Sequence, residues 1–342
     1  MEYPKFPKDC KSLLCKYLTE DVFNKLKERV TPNGYTLEMA INSGVKNPDS
    51  SIGIYAGDKE SYEVFDLLFD PIIEEYHGFK KNDTHKSDFS SDKLDFDLLD
   101  KDGEFILSTR IRVGRNLLGY PLGTIISKKE RDEVEERVKN ALLKLGGSLK
   151  GEYYPLKGMS KEVQQKLIKD HFLFKEGDRF LEAAGLNREW PDGRGIFHND
   201  EKTFLVWVNE EDELRIISMQ KGGNIKEVFE RLANAVEALE SKMEFLKSEH
   251  LGYITSCPTN LGTAMRASVH IKLPKLSTNK ALFKEITDRN HLQIRGTHGE
   301  HSKSEEGIFD ISNARRLGIS EVEAVSDLYN GVKELIEVET KL

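Results

Sequence analysis

At residues 204–223 the chain reads FLVWVNEEDELRIISMQKGG, two β-prone runs with almost nothing between them. Phe204 to Val208 is continuously apolar, Arg215 to Met219 follows, and the connecting NEEDE is polar. So short a connection cannot hold a crossover helix, so the two strands pair antiparallel. Further strands are predicted at Tyr253 to Ser256, Ala267 to Leu273 and Gly307 to Ile311. Amphipathic helices separate them. One opens with the capping box Ser127 to Glu130 and carries Val134, Val138, Leu142 and Leu145 before Gly146. Another runs from Asn224, with Glu227 completing its cap, through Val228, Leu232, Val236, Leu239 and Met243, and a last one starts at Ser320 with Glu323.

The first eighty residues read as helix alone. Thr19 precedes the stripe Val22, Leu26 and Val30, and Thr36 opens a segment that stops near Gly44. A third segment follows Asp58, with Pro71 starting or kinking a further helix. Residues 80–101, KKNDTHKSDFSSDKLDFDLLDK, are polar and lack sustained periodicity. The expectation is an α+β protein: a small all-α N-terminal domain at 1–86, a linker at 87–101, and a larger domain at 102–342 whose antiparallel β-sheet is flanked by α-helices.

Lys and Arg number 51 against 59 Asp and Glu, a net charge of −8 that argues against general binding to nucleic acid or an anionic membrane. A local basic pocket for a small anion remains compatible with it. No apolar run approaches the length of a bilayer span, and the charged start MEYPKFPKDCK lacks a signal-peptide core, so a cytoplasmic protein is expected. The three cysteines, Cys10, Cys15 and Cys257, are too few and odd in number for a disulfide framework. Cys10 and Cys15 have no nearby His to complete a zinc set and are expected to be buried or idle thiols.

Neither a G-x-x-x-x-G-K-[ST] loop nor a strand-linked G-x-G-x-x-G exists, so the common glycine-rich phosphate cradles are excluded. Arginines in strand-like or turn contexts take their place as candidates: Arg110, Arg112 and Arg115 in STRIRVGR, then Arg215, Arg266 and Arg295. Each alone reads as a surface salt-bridge partner; the set is what points to phosphate. Glu211 sits in the NEEDE turn and Glu300 in GTHGEH, where Gly296 and Gly299 would let the segment act as a lid; loop acids in water are the plain alternative. His298 and His301 flank Glu300 without further metal ligands. Cys257 at a strand end, near a hydroxyl and several arginines, is either a core residue or a readily ionised thiol able to hold a cation.

CPTNLGT at 257–263, running into RASVHIKLPKL, resembles the signature of the phosphagen (guanidino) kinases. STRIRVGR, GMSKEVQQKLIKDHFLFKEGDRFL, GRGIFHND, the 204–223 stretch, IRGTHGEH and GIFDISNARRLG resemble the same family in order and spacing, so the likeness covers nearly the whole chain. The loop DSSIGIYAGD, 49–58, is similar in length and in Tyr55 to that of members taking L-arginine.

The resemblance implies reversible transfer of the γ-phosphoryl of MgATP to the guanidino group of L-arginine, giving phosphoarginine and ADP, by a monomer that buffers cellular ATP. It implies that Arg110, Arg112, Arg215, Arg266 and Arg295 clamp the phosphates, with Mg2+ held through phosphate oxygens and water and by no protein ligand. Ser108, His171, Trp207, Met219, Ser268, Val269, His270, Thr297, Gly299 and Asp310 would line the nucleotide site. Ser50, Ile52, Gly53 and Tyr55 would meet the amino-acid end of the substrate through backbone amides and the phenol. Glu211 and Glu300 would bracket the guanidinium, with Cys257 as a thiolate beside it, and Asp49 with Arg179 would link the loop to the catalytic domain. Ser51 departs from the usual glycine, and Ser302 and Lys303 from the usual Thr and Glu.

Alternatives are a kinase for taurocyamine or lombricine, a Cys257 nucleophile attacking the guanidino carbon with His270 as base, a silent sensor, and a protein-arginine kinase.

Overall fold

The computed structural model describes residues 2–295 and 307–342. Thr297, His298, Gly299, Glu300, His301, Ser302 and Lys303 therefore lie outside the described residues.

The N-terminal part is helical throughout: α1 Leu13–Tyr17, α2 Glu20–Leu26, α3 Leu37–Lys46, α4 Ser61–Val64 and α5 Asp66–His77. Thr19 and Thr36 start α2 and α3 as expected, each hydroxyl accepting the backbone N–H three residues on. Two details differ from the expectation. Helix α2 ends at Leu26, and Val30 is 53% exposed beside a tight turn in which the Gly34 N–H donates to the Thr31 carbonyl. Pro71 lies inside α5 and does not start it. Cys10 and Cys15 are joined in a disulfide, which corrects the expectation of separate thiols.

The larger part contains β1 Ile106–Arg115, α6 Lys128–Leu142, β2 Gly151–Pro155, α7 Lys161–Lys169, α8 Arg179–Ala183, β3 Gly195–Asn199, β4 Phe204–Val208, β5 Leu214–Lys221 and α9 Ile225–Glu240. It continues with β6 Lys247–Ser248, β7 Gly252–Tyr253, β8 Met265–Lys272, α10 Lys280–Arg289, β9 Leu292–Arg295, β10 Ile308–Asn313 and α11 Glu321–Lys341. Among the described residues eight strands form one antiparallel sheet in the order β2-β3-β4-β5-β1-β8-β10-β9, and β6 pairs with β7. The protein is thus α+β, a small helical domain with a larger sheet domain. The strand expected at Tyr253 to Ser256 is cut to two residues. Beyond Tyr253 the backbone turns to other partners, with the Tyr62 hydroxyl donating to the Thr255 carbonyl at 2.7 Å and the Ser256 N–H to Asp212 at 2.9 Å.

Alternation along the strands sorts their side chains. Ile111 and Val113 of β1, Ile216 of β5, Ala267, Val269 and Ile271 of β8 and Ile311 of β10 enter the main core, where Val228, Leu232, Leu328 and Leu335 of α9 and α11 meet them. Each such Val, Leu or Ile side chain contributes about 1.5–3 kcal/mol by leaving water. The alternate positions carry Arg110, Arg112, Arg215, Arg266 and His270 on the opposite face. Residues expected as linker are docked: Leu94 and Leu99 are buried in this core, and the Asp88 N–H donates to Glu321 at 2.7 Å.

Candidate active site

Cross-strand register gathers the arginines. Arg112 stands opposite Arg266, Gly114 opposite Arg215, and Arg110 opposite both Met219 and Ser268. Ser108 is opposite His270, His270 opposite Asp310, and Asp310 opposite Arg295. All are on one face, so the five expected arginines share it across three neighbouring strands and the edge strand β9. Trp207 supports them: the guanidinium carbons of Arg110 and Arg215 lie 5.3 and 5.2 Å from its ring. Its indole N–H donates to the Phe172 carbonyl at 2.9 Å, which brings the exposed turn of His171 alongside. Arg115, in the same motif, points the other way and packs 3.4 Å over Tyr253 in the core.

The cations are held under mutual repulsion. Burial, with Arg215 and Arg266 next, lowers Arg110 to about 10, and burial with Arg215 lowers Arg112 strongly. Arg215 stays firmly charged, because Glu210, Glu211 and Asp212 outweigh the cost of its burial; it contacts Glu210 and Glu211 at 3.0 Å each. Arg266 pairs with Asp310 at 2.7 Å, and His270 lies 3.5 Å from the same carboxylate. Nε of Arg110 and of Arg266 are buried with no hydrogen-bond partner among the described residues. Unsatisfied guanidinium donors on a crowded cationic face are the chemistry of an anion site. Val269 departs from its expected place: its side chain is in the core, so only its backbone belongs to this face's strand.

Beside the arginines opens a cleft of about 390 Å³ whose lining draws on both parts of the chain. The N-terminal part supplies Lys11, Asp49, Ser50, Ser51, Ile52 and Tyr55; the larger part supplies Glu210, Glu211, Arg215, Cys257 and Thr259, with Asp178 and Phe180 at the rim. Burial raises Glu211 to about 7 against the opposing pull of Arg215, and Asn260 Nδ2 donates to it at 3.3 Å. Burial, then Glu211, pushes the Cys257 thiol up to about 12, while Thr259 Oγ1 at 3.1 Å works in the opposite direction. The ready thiolate expected from nearby arginines is disfavoured in the free cleft, because burial and the adjacent Glu211 raise the thiol.

Part of the loop's backbone is engaged in bonds of its own. The Ser50 N–H donates to the Asn47 carbonyl, the Gly53 N–H to Ser50 Oγ and the Tyr55 N–H to the Ala40 carbonyl. Two of these amides hold the turn at 47–53 and the third ties the loop to α3. Gly53 has φ 78°, and a Cβ there would stand 2.9 Å from Leu14. Ile52 is buried and Tyr55 nearly so. Arg179 pairs with Asp49, Nη1 to Oδ1 at 2.9 Å, and with Asn47 at 3.1 Å, joining the loop to α8. Asn116, Asp178, Glu210, Asn260 and Lys11 were not anticipated. Polar residues in ordinary composition give no local signal, and only the fold brings them together.

A cationic face beside a carboxylate-lined cleft defines a phosphotransferase whose acceptor is itself a cation. The N-terminal domain of ATP:guanido phosphotransferases matches residues 8–74, and their C-terminal catalytic domain matches residues 133–342. Arginine kinase Lit v 2.0101 of Penaeus vannamei is 56% identical over 335 residues, 98% of this chain and 94% of the relative. The crystal structure of a lombricine kinase has a TM-score of 0.92 at 42% identity, covering 99% of this chain and 94% of its own. The duplicated taurocyamine kinase from Schistosoma mansoni with bound transition state analog components gives 0.90 at 44% identity, over 97% of this chain and 47% of that one. This chain belongs to the ATP:guanido phosphotransferase family and is an ATP:guanidino phosphotransferase.

Proposed function

We propose that the acceptor is L-arginine and that the reaction is reversible transfer of the γ-phosphoryl of MgATP to its guanidino group, giving phosphoarginine and ADP. The carrying observation is that the 49–55 loop, Glu211 and Cys257 line one cleft directly beside the arginine face. The cleft's lining includes a Lys11 cation and an Asp178 carboxylate, opposite charges that suit the carboxylate and ammonium of an α-amino acid. Taurocyamine carries a sulfonate and no ammonium. The high identity to a relative named arginine kinase supports the same choice.

Phosphoryl transfer passes through a metaphosphate-like transition state, so alignment and charge stabilisation dominate. Arg110, Arg112, Arg215, Arg266 and Arg295 would hold the phosphates. Among the described residues no group of three or more His, Cys, Asp or Glu side chains could hold a metal ion. The donor set fits an anion carrying its own cation, so Mg2+ would ride on phosphate oxygens and water and add charge neutralisation there. Guanidinium has no free lone pair at neutral pH. Glu211, near 7 in the free cleft, is poised to orient the cation and to take its proton as the N–P bond forms. Glu300 is the proposed second carboxylate. Proton loss before attack is opposed, because the same carboxylates stabilise the cation, so alignment is the larger contribution. Cys257 would face the guanidinium as an electrostatic partner. A nucleophilic role is disfavoured by its raised pKa and by His270, which pairs with Asp310 on the sheet.

The working form is proposed as a cytoplasmic monomer that buffers ATP without nucleic-acid or membrane partners, with the helical domain, linker and catalytic domain bounded as the sequence suggests. No helix among the described residues is long and apolar enough to cross a membrane. The test is ADP release over a panel of guanidino compounds with and without Mg2+. Strict MgATP dependence with preference for L-arginine is expected. Ornithine or citrulline formed without ATP, or wild-type turnover in a Glu211→Gln plus Glu300→Gln double variant, refutes the reading.

A further inference from the structure

We propose that Asn116 is a positioning residue that sets the separation between the Glu211 carboxylate and the Cys257 thiol. Asn116 directly follows β1 and is 1% exposed. Its Nδ2 donates to Asp212 Oδ1 at 2.8 Å and to the Ile254 carbonyl at 3.0 Å, and its Oδ1 accepts from the Glu213 N–H at 2.9 Å. The three bonds therefore reach the turn that carries Glu211 and the segment that leads into Cys257. Asp212 Oδ1 closes the link by accepting from the Ser256 N–H at 2.9 Å, and the Leu117 N–H donates to Glu213 at 2.6 Å.

Glu211 precedes one of these bonded residues and Cys257 follows another. Between the two functional side chains themselves no hydrogen bond is formed among the described residues; Cys257 bonds Thr259, and Glu211 bonds Arg215 and Asn260. Their spacing is inherited from the amide that ties their neighbours together. A carboxamide is the side chain of this size with two donors and an acceptor on one planar group. A hydroxyl or carboxylate at the same place leaves at least one of the three partners, all buried, without its bond.

The inference rests on the proposed guanidinium wall, and its test separates the two. Asn116→Ala and Asn116→Asp are compared with wild type for ADP formation from MgATP and L-arginine. In Asn116→Ala, kcat falls about 10- to 100-fold from ångström-scale misplacement while KM for MgATP stays within about twofold. In Asn116→Asp the shape is kept, but a carboxylate faces Asp212. A shared proton restores one donor, so activity relative to wild type rises on going from about pH 9 to about pH 6. A purely structural role gives no such pH-dependent recovery. Turnover of Asn116→Ala within about twofold of wild type overturns the inference, as does an Asn116→Asp deficit equal at both pH values. Should Asn116→Ala fail to fold, the Asn116→Asp ratio decides. A wild-type enzyme inert toward L-arginine but active on another guanidino compound overturns the substrate reading alone, and the same comparison is then made with that compound.

Discussion

Replacing Glu211 by Gln should slow the enzyme and stabilise it, with a stability gain that depends on pH. The gap between the ordinary 4.5 and about 7 corresponds to about 3 kcal/mol of discrimination against the ionised carboxylate in the folded protein. The folded state binds this proton more tightly than the unfolded chain does. The penalty is therefore absent below about pH 4.5, grows between the two values, and is complete above about pH 7. Gln removes it, although weakening one of two carboxylate contacts to Arg215 takes part back, leaving about 1–2 kcal/mol net at pH 8. In thermal melts that is a rise of about 1–3 °C over wild type at pH 8, shrinking to nothing or reversing near pH 5. The same variant, assayed by ADP release, should lose the acid limb of kcat/KM for the guanidino substrate. In wild type that limb rises about tenfold from pH 6 to pH 8, as the ionised fraction of a group near 7 requires. An unchanged acid limb in the variant, or a melting shift equal at pH 5 and pH 8, refutes the assignment of this charge to Glu211.

Binding L-arginine beside Glu211 should release a proton near pH 7 and less at pH 9, where the carboxylate is already ionised; calorimetry in buffers of different ionisation enthalpy reads this directly. Arg266→Ala should lower kcat/KM for MgATP by about 10²–10³-fold and free Asp310, with thermal stability little changed. Asp49→Asn breaks an ion pair whose side chains are 61% and 55% exposed, so its effect on stability should stay below about 1 kcal/mol while KM for the guanidino substrate rises. Lys11→Met should raise KM for L-arginine but not for agmatine, which lacks the carboxylate, in steady-state assays.

Antiparallel pairing was legible where the hydrophobic pattern is strong and the connection short, as at 204–223, and the capping boxes at Ser127 and Ser320 are formed as read. Strand β1 was harder to see, because the positions facing away from the main core carry Arg110 and Arg112 and its pattern resembles a basic loop until the sheet is assembled. The 253–256 segment shows the opposite failure: β-prone residues there spend their hydrogen bonds on Tyr62 and Asp212, from distant parts of the chain. At the site, residue types announced themselves and protonation did not. An arginine-rich surrounding suggested a thiolate at Cys257, but burial and the adjacent Glu211 outweigh those cations, and burial is a property of the fold. The loop's own bonds, Ser50 N–H to Asn47, Gly53 N–H to Ser50 and Tyr55 N–H to Ala40 of α3, had no signal in the sequence either, since they depend on how the loop packs on α3.

The backbone of Ala56 donates to the carbonyl of Ser256 at 2.8 Å, one residue from the thiol and one from Tyr55. Selectivity and reactivity are consequently inherited as a unit. Grafting the 49–58 loop of a relative to redirect the enzyme toward a longer or shorter acceptor would carry a displacement straight into the proposed guanidinium wall. Successful exchange of specificity in this scaffold therefore calls for co-transplanting residues 254–257 with the loop.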